Sequence, residues 1–196
     1  MKIVGVTGPT ASGKSSFSRL VKKCTPLCTV FDADKCVHRL YQNDKSVISQ
    51  INQIAPGCLA QNSINRKFLF AQILKDRGLL EKIEYVVHAA VKEKIKDFLK
   101  FCRRSQIKLV VLDIPLLFKI DADALCDKVV VVQASKMLLF QRRNNRCAKF
   151  GNAVVHDCIN ITKHRSKHKI IHVRSGLEGY HLYKRVNFVL GALKKR

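Results

Sequence analysis

Negative charge is what this chain has least of. Only 14 Asp and Glu residues stand against 37 Lys and Arg, a formal net charge of +23 and an isoelectric point near 10.0. Such a surface attracts polyanions of every kind, nucleotides, coenzymes and nucleic acids included, without choosing among them. A solvated basic surface with no dedicated partner accounts for the same excess. Long apolar runs are also missing: none approaches the roughly 18 residues of a membrane-spanning helix. The N-terminus enters a strand at once, with no room for a signal peptide. Both absences point to a cytoplasmic protein with no membrane partner. Cysteines occur at 24, 28, 36, 58, 102, 126, 147 and 158, but never as Cys-x-x-Cys, the spacing that zinc and redox sites favour. They read as reduced structural thiols of a reducing compartment. The chain has no internal repeat, low-complexity tract, zinc knuckle, aromatic RNA-binding signature or Asn-Lys-x-Asp guanine-selecting motif. No specific nucleic-acid partner is therefore expected, and a GTPase is disfavoured.

What is present is an alternation. At 196 residues and 47% hydrophobic content, the chain can bury one substantial core and is short for two independent domains. Short runs rich in Val, Ile or Leu predict strands at 2–7, 29–32, 108–113, 128–132 and 169–173. Helical patterns lie between them at 14–23, 35–54, 64–76, 80–103, 135–148, 153–164 and 178–193. Apolar strands separated by helices argue for an α/β fold around a five-stranded parallel sheet. After Pro56-Gly57 the next stretch carries no strand signal and reads as an all-helical insertion.

Chemistry enters at Gly8-Pro9-Thr10-Ala11-Ser12-Gly13-Lys14-Ser15, which follows the first strand and precedes a helical pattern. Glycines at both ends let the backbone turn and aim its N–H groups at the phosphates of a nucleotide. Lys14 supplies a mobile cation and Ser15 a hydroxyl ligand for Mg²⁺, with Ser16 beside it. ATP and Mg²⁺ are the ligands this loop predicts. A strand-to-helix turn that binds nothing is the bland alternative.

Three further groups belong to the same reading. Phe31-Asp32-Ala33-Asp34 closes the second strand, at the edge where a parallel sheet gathers its ligands. One carboxylate can accept a proton from a substrate hydroxyl, and the other suits a helix N-cap or a supporting role. Chemistry is assigned to Asp34 and support to Asp32. Asp113 ends the third apolar strand ahead of Ile114-Pro115-Leu116-Leu117, where a phosphate-loop enzyme keeps a carboxylate for Mg²⁺. Arg142 and Arg146, four apart and so on one helix face, can clamp phosphates from a lid. A solvated helix face would carry the same arginines.

The order of phosphate loop, Asp-Ala-Asp, Asn65-Arg66-Lys67-Phe68-Leu69, Ile83-Glu84-Tyr85-Val86-Val87-His88, Pro115-Leu116-Leu117 and the arginine helix resembles the dephospho-CoA kinase family over nearly the whole chain. The resemblance implies ATP-dependent phosphorylation of the ribose 3′-hydroxyl of dephospho-CoA, the last step of coenzyme A synthesis. By position it implies that Asp34 is the general base, Lys14 and Ser15 the phosphate and Mg²⁺ contacts, and Arg142 and Arg146 the lid. Arg66 and His88 would lie in the acceptor region, joined by Asp32, Pro115 and Leu116. One phosphate-loop kinase domain over 1–196 is expected: 1–55, 105–134 and 166–196 as nucleotide core, 56–104 as a helical acceptor subregion, and 135–165 as lid. It would work as a monomer or weak oligomer on ATP and dephospho-CoA. The chain departs from the family pattern at Ala89, Phe118-Lys119, Cys147 and Lys167-His168, and most of these changes remove an acid.

Overall fold

The computed structural model describes residues 1–150, 170–176 and 179–194, with the side chains of 146–150, 179–181 and 194 left out of the description. The expected helix at 153–164 lies outside the described residues. Among the described residues no helix is long and apolar enough to cross a membrane.

A five-stranded sheet organises the chain. Its strands are β1 (Lys2–Thr7), β2 (Cys28–Asp32), β5 (Leu109–Asp113), β6 (Lys128–Gln133) and β7 (Ile170–Arg174), in the order β2-β5-β1-β6-β7. Two two-residue strands, β3 (Leu59–Ala60) and β4 (Ser63–Ile64), form a separate hairpin. β1 is central, pairing in parallel with β5 from Lys2↔Leu109 to Val6↔Asp113, and with β6 from Val4↔Lys128 to Thr7↔Val131. β6 pairs in parallel with β7 from Val129↔Ile170 to Gln133↔Arg174. A central strand covered on both faces needs apolar side chains at successive positions, and Ile3, Val4 and Val6 of β1 are all buried. On one face Val4, Val6, Val111, Val130, Val132 and Val173 pack with Phe17 and Val21 of α1 (Lys14–Cys24). Val186 and Val189 of α7 (Gly179–Lys194) complete that cluster. Each such side chain contributes about 1.5–3 kcal/mol relative to its exposed state.

By its contacts the chain divides into two compact units, residues 1–31 with 101–196, and residues 32–100. The first holds nearly all of the large sheet with α1, α7 and α6 (Lys136–Phe150). The second begins at Asp32 and takes in α2 (Ala33–Asn43), α3 (Lys45–Ile54), the β3–β4 hairpin, α4 (Arg66–Lys75) and most of α5 (Gly78–Arg104).

Two expectations are corrected in the second unit. The single helix expected over 35–54 is two helices, because Asp44 takes an extended conformation between them. Its backbone N–H donates to Leu40 O at 3.1 Å, and its Oδ1 accepts from Val47 N at 3.2 Å. One residue thus ends α2 and caps α3. Lys94 Nζ lies 3.5 Å from its other oxygen. The stretch after Pro56-Gly57, expected to lack strands, carries β3 and β4, paired antiparallel as Leu59↔Ile64 and Ala60↔Ser63. Gln61 and Asn62 both have positive φ, 48° and 62°, as a two-residue primed hairpin turn requires. The helices around it follow the sequence closely. Asn65 Oδ1 caps α4 by accepting from Phe68 N at 3.1 Å, and α5 buries Ile83, Val87, Val91, Ile95 and Leu99 at four-residue intervals. Among the described residues, Cys24, Cys28, Cys36, Cys58, Cys102 and Cys126 form no disulfide.

Candidate active site

The phosphate loop leaves β1 at the wholly buried Thr7 and enters α1 at Lys14. Its shape depends on two glycines. Gly8 has φ +149°, and a Cβ there would collide with the Val132 carbonyl. Gly13 has φ +99° and stands at the N-cap of α1. A helix that starts behind glycine has no side-chain cap, and such an N-terminus favours an anionic ligand. Ala11 is left-handed as well, with φ 67°, a conformation costing an L-residue about 1–2 kcal/mol. It turns the Ala11 carbonyl toward Arg142.

The cations of the loop are already hydrogen-bonded. Lys14 Nζ donates to Gly8 O and to Pro9 O, both at 2.9 Å, and Lys14 is buried. Arg142 of α6 donates from Nη1 to Ala11 O at 3.3 Å and to Ser175 Oγ at 3.0 Å, and from Nη2 to Gly176 O at 3.1 Å. These three acceptors are neutral. Among the described residues no carboxylate pairs with Arg142. Ser12 Oγ is buried and has no hydrogen-bond partner among the described residues, whereas Ser15 and Ser16 are exposed on the first turn of α1. Asp113 is buried at the end of β5, opposite Val6 in register. The segment after it is fastened to the loop's entry: Thr7 Oγ1 donates to Pro115 O at 2.8 Å, and Ile114 N donates to Val6 O at 3.0 Å. Pro115 and Leu116 are half-buried.

The sheet unit therefore brings together the phosphate loop, Asp113, Pro115, Leu116 and Arg142. Arg146 is carried by α6, but its side chain is outside the description. The other expected site residues belong to the helical unit. Asp32 Oδ1 caps α2 by accepting from Lys35 N at 3.0 Å, and Asp34 is exposed in that helix's first turn. Arg66 is exposed in the first turn of α4. Burial raises the Tyr41 hydroxyl above the ordinary phenol range, with the Arg66 charge pulling it down. His88 is half-buried on α5. Sequence reasoning passed over Thr7, Ser175 and Gly176. The available signal was a Ser-Gly pair directly past an apolar strand, where parallel sheets place ligand-facing turns.

The dephospho-CoA kinase family model matches residues 2–169. The chain belongs to the dephospho-CoA kinase family. A dephospho-CoA kinase of Paramagnetospirillum magneticum is 36% identical over 138 residues, covering 70% of this chain and 64% of that protein. The chain thus spans less than two thirds of that relative. It spans 99% of a dephospho-CoA kinase of Gluconobacter oxydans, which is 30% identical over 201 residues covering 100% of this chain. A crystal structure of a Thermus thermophilus protein superimposes with a TM-score of 0.70 at 22% identity, covering 98% of this chain and 97% of that one. The fold is that of the phosphate-loop kinases.

Proposed function

We propose that this chain transfers the γ-phosphoryl group of ATP to the ribose 3′-hydroxyl of dephospho-CoA, giving coenzyme A. The observation that carries the reading is a helix N-terminus with no side-chain cap, Lys14, and an Arg142 that no carboxylate pairs with among the described residues, around one loop in a chain of this family. Phosphoryl transfer asks little covalent chemistry of a protein; positioning and neutralisation of charge supply most of the catalysis. Lys14 leaves the loop carbonyls for the phosphates, and Arg142 and Arg146 bear on them from the lid, within 135–165. Asp34 accepts the proton of the attacking hydroxyl, with Asp32 holding the turn that presents it. Arg66 and His88, of the helical subregion 56–104, contact the acceptor, as do Pro115 and Leu116.

The loop's residues suit a triphosphate with its metal ion. Ser12 offers a buried hydroxyl with no partner among the described residues, and the space at Gly8 admits no side chain. Ser15 and Asp113 would hold Mg²⁺, which draws charge from the phosphoryl oxygens when bound. Nucleic acid binds only through the diffuse basic surface, weakly and with steep salt dependence. The chain works as a monomer or weak oligomer in the cytoplasm.

The test is purified protein with ATP, Mg²⁺ and a panel of dephospho-CoA, nucleosides, nucleotides and nucleic acid, with ADP release as readout. Dephospho-CoA should give the fastest turnover. Preference for a nucleoside or nucleotide acceptor would replace this reading with another kinase of the same fold. Nucleic-acid-stimulated hydrolysis without a response to dephospho-CoA would replace it with an ATP-switched binding module.

A further inference from the structure

Arg142 reaches the phosphate loop from a helix far away in the chain, and among the described residues Ser175 is the one whose side chain helps fasten it there. Nη1 is shared between Ala11 O at 3.3 Å and Ser175 Oγ at 3.0 Å, while Nη2 donates to Gly176 O at 3.1 Å. Ser175 is itself fixed from two sides. Its backbone N donates to Gln133 O at 2.6 Å, at the end of β6. Its side chain lies against the loop, so that a Cβ built on Gly13 would stand 3.4 Å from both Ser175 Cβ and Ser175 Oγ. Ser175 is buried, so this hydroxyl is held in place rather than sampling solvent. The neutrality of the acceptor matters as much as its position. A hydroxyl orients a guanidinium without cancelling its charge, whereas a carboxylate would form a bidentate pair and satisfy it.

We propose that Ser175 is a positioning residue for phosphoryl transfer: its hydroxyl holds the Arg142 guanidinium over the phosphate loop while leaving the arginine's charge to the nucleotide. The proposal rests on the reading of Arg142 as a phosphate contact. Ser175 need not touch the substrate, and its contribution passes through Arg142.

A double-mutant cycle read as kcat/KM for ATP separates this from a packing role. Arg142→Ala should lower kcat/KM by about 10- to 150-fold, the worth of a charge-assisted hydrogen bond. Ser175→Ala should lower it by about tenfold, with the melting temperature and the KM for dephospho-CoA nearly unchanged. In the Arg142→Ala background, Ser175→Ala should change kcat/KM by less than about twofold, because coupled residues are not additive. Ser175→Asp should lose more than Ser175→Ala, although it can hold the arginine more tightly, since it neutralises the charge meant for the phosphates. Equal losses from Ser175→Ala in both backgrounds would make its effect independent of Arg142 and overturn the proposal. So would a Ser175→Asp variant as active as the parent. If Arg142→Ala alone leaves kcat/KM unchanged, the phosphate-contact reading fails and the proposal falls with it. If Arg142→Ala is impaired and Ser175→Ala is not, that reading stands and only the proposal fails.

Discussion

Gly8 offers the sharpest single perturbation of the phosphate loop. Two costs are expected of Gly8→Ala. The residue sits at φ +149°, a region that costs an L-residue about 1–3 kcal/mol. The new methyl group would also collide with the Val132 carbonyl, lying 3.1 Å from its carbon, and would stand 3.0 Å from Ser12 Oγ. Val132 has little freedom to retreat, because β6 is paired with β1 at Val131 and with β7 at Val132 itself. Overpacking against an immobile neighbour costs about 1–3 kcal/mol more. The sum, about 2–6 kcal/mol, corresponds to a fall of roughly 5–20 °C in melting temperature at about 2–4 °C per kcal/mol for a chain of this size. Scanning calorimetry measures the fall, and an ATP titration at low temperature should show lost affinity in the fraction still folded. Gly176→Ala is the internal control. Gly176 also borders Arg142, but among the described residues nothing lies within 4 Å of its built Cβ, and its φ lies outside the left-handed region, so stability should stay within about 0.5 kcal/mol of the parent. A Gly8→Ala protein melting within about 2 °C of the parent, or a Gly176→Ala protein destabilised as much, would refute the steric argument.

Asp34→Asn should reduce phosphorylation of dephospho-CoA by about 10²- to 10⁴-fold with ATP affinity retained; normal turnover in steady-state kinetics would remove the general-base role. Gly191 lies in α7, and among the described residues nothing is within 4 Å of its built Cβ, so Gly191→Ala should raise stability by about 0.5–1 kcal/mol in urea melts, and a loss would mean that the site is crowded. Burial pushes the Cys28 thiol from 9.0 up to about 11, against the pull of Lys22. Its contribution to stability is therefore intact below the unfolded value near 9 and drains away as pH rises to about 11. Cys28→Ala should flatten the fall in stability between pH 9 and 11 in denaturant titrations, and an unchanged slope would contradict the buried thiol.

The large sheet was legible in the sequence because each of its strands is an apolar run long enough to stand out, such as Leu109-Val110-Val111-Leu112. The phosphate loop was legible because its glycines and lysine have fixed spacing. The break at Asp44 was not, since the apolar spacing continues across it from Leu40 to Val47, Ile48 and Ile51. Only the capping chemistry of one aspartate divides the pattern. The hairpin was hidden for a different reason. Its strands are two residues long, too short for alternation, and its turn is Gln61-Asn62 without the usual glycine. Ser175 escaped because its value comes from Arg142, Gln133 and Gly13, which meet it only in three dimensions. Asp32 was read as a possible cap and is one.

On the proposed reading, Lys14 and Arg142 meet the phosphates by exchanging main-chain and hydroxyl oxygens such as those of Gly8, Pro9, Ala11 and Ser175, and two cations of this kind read charge rather than a base. Any compact polyphosphate can compete for those cations by exchanging oxygen for oxygen. Pyrophosphate and tripolyphosphate are thus natural rivals of the nucleotide at this loop, all the more on a chain of net charge +23. Discrimination among nucleotides has to be exercised away from these two cations. A change that merely strengthens their grip would tighten every polyphosphate together and sharpen the choice of none.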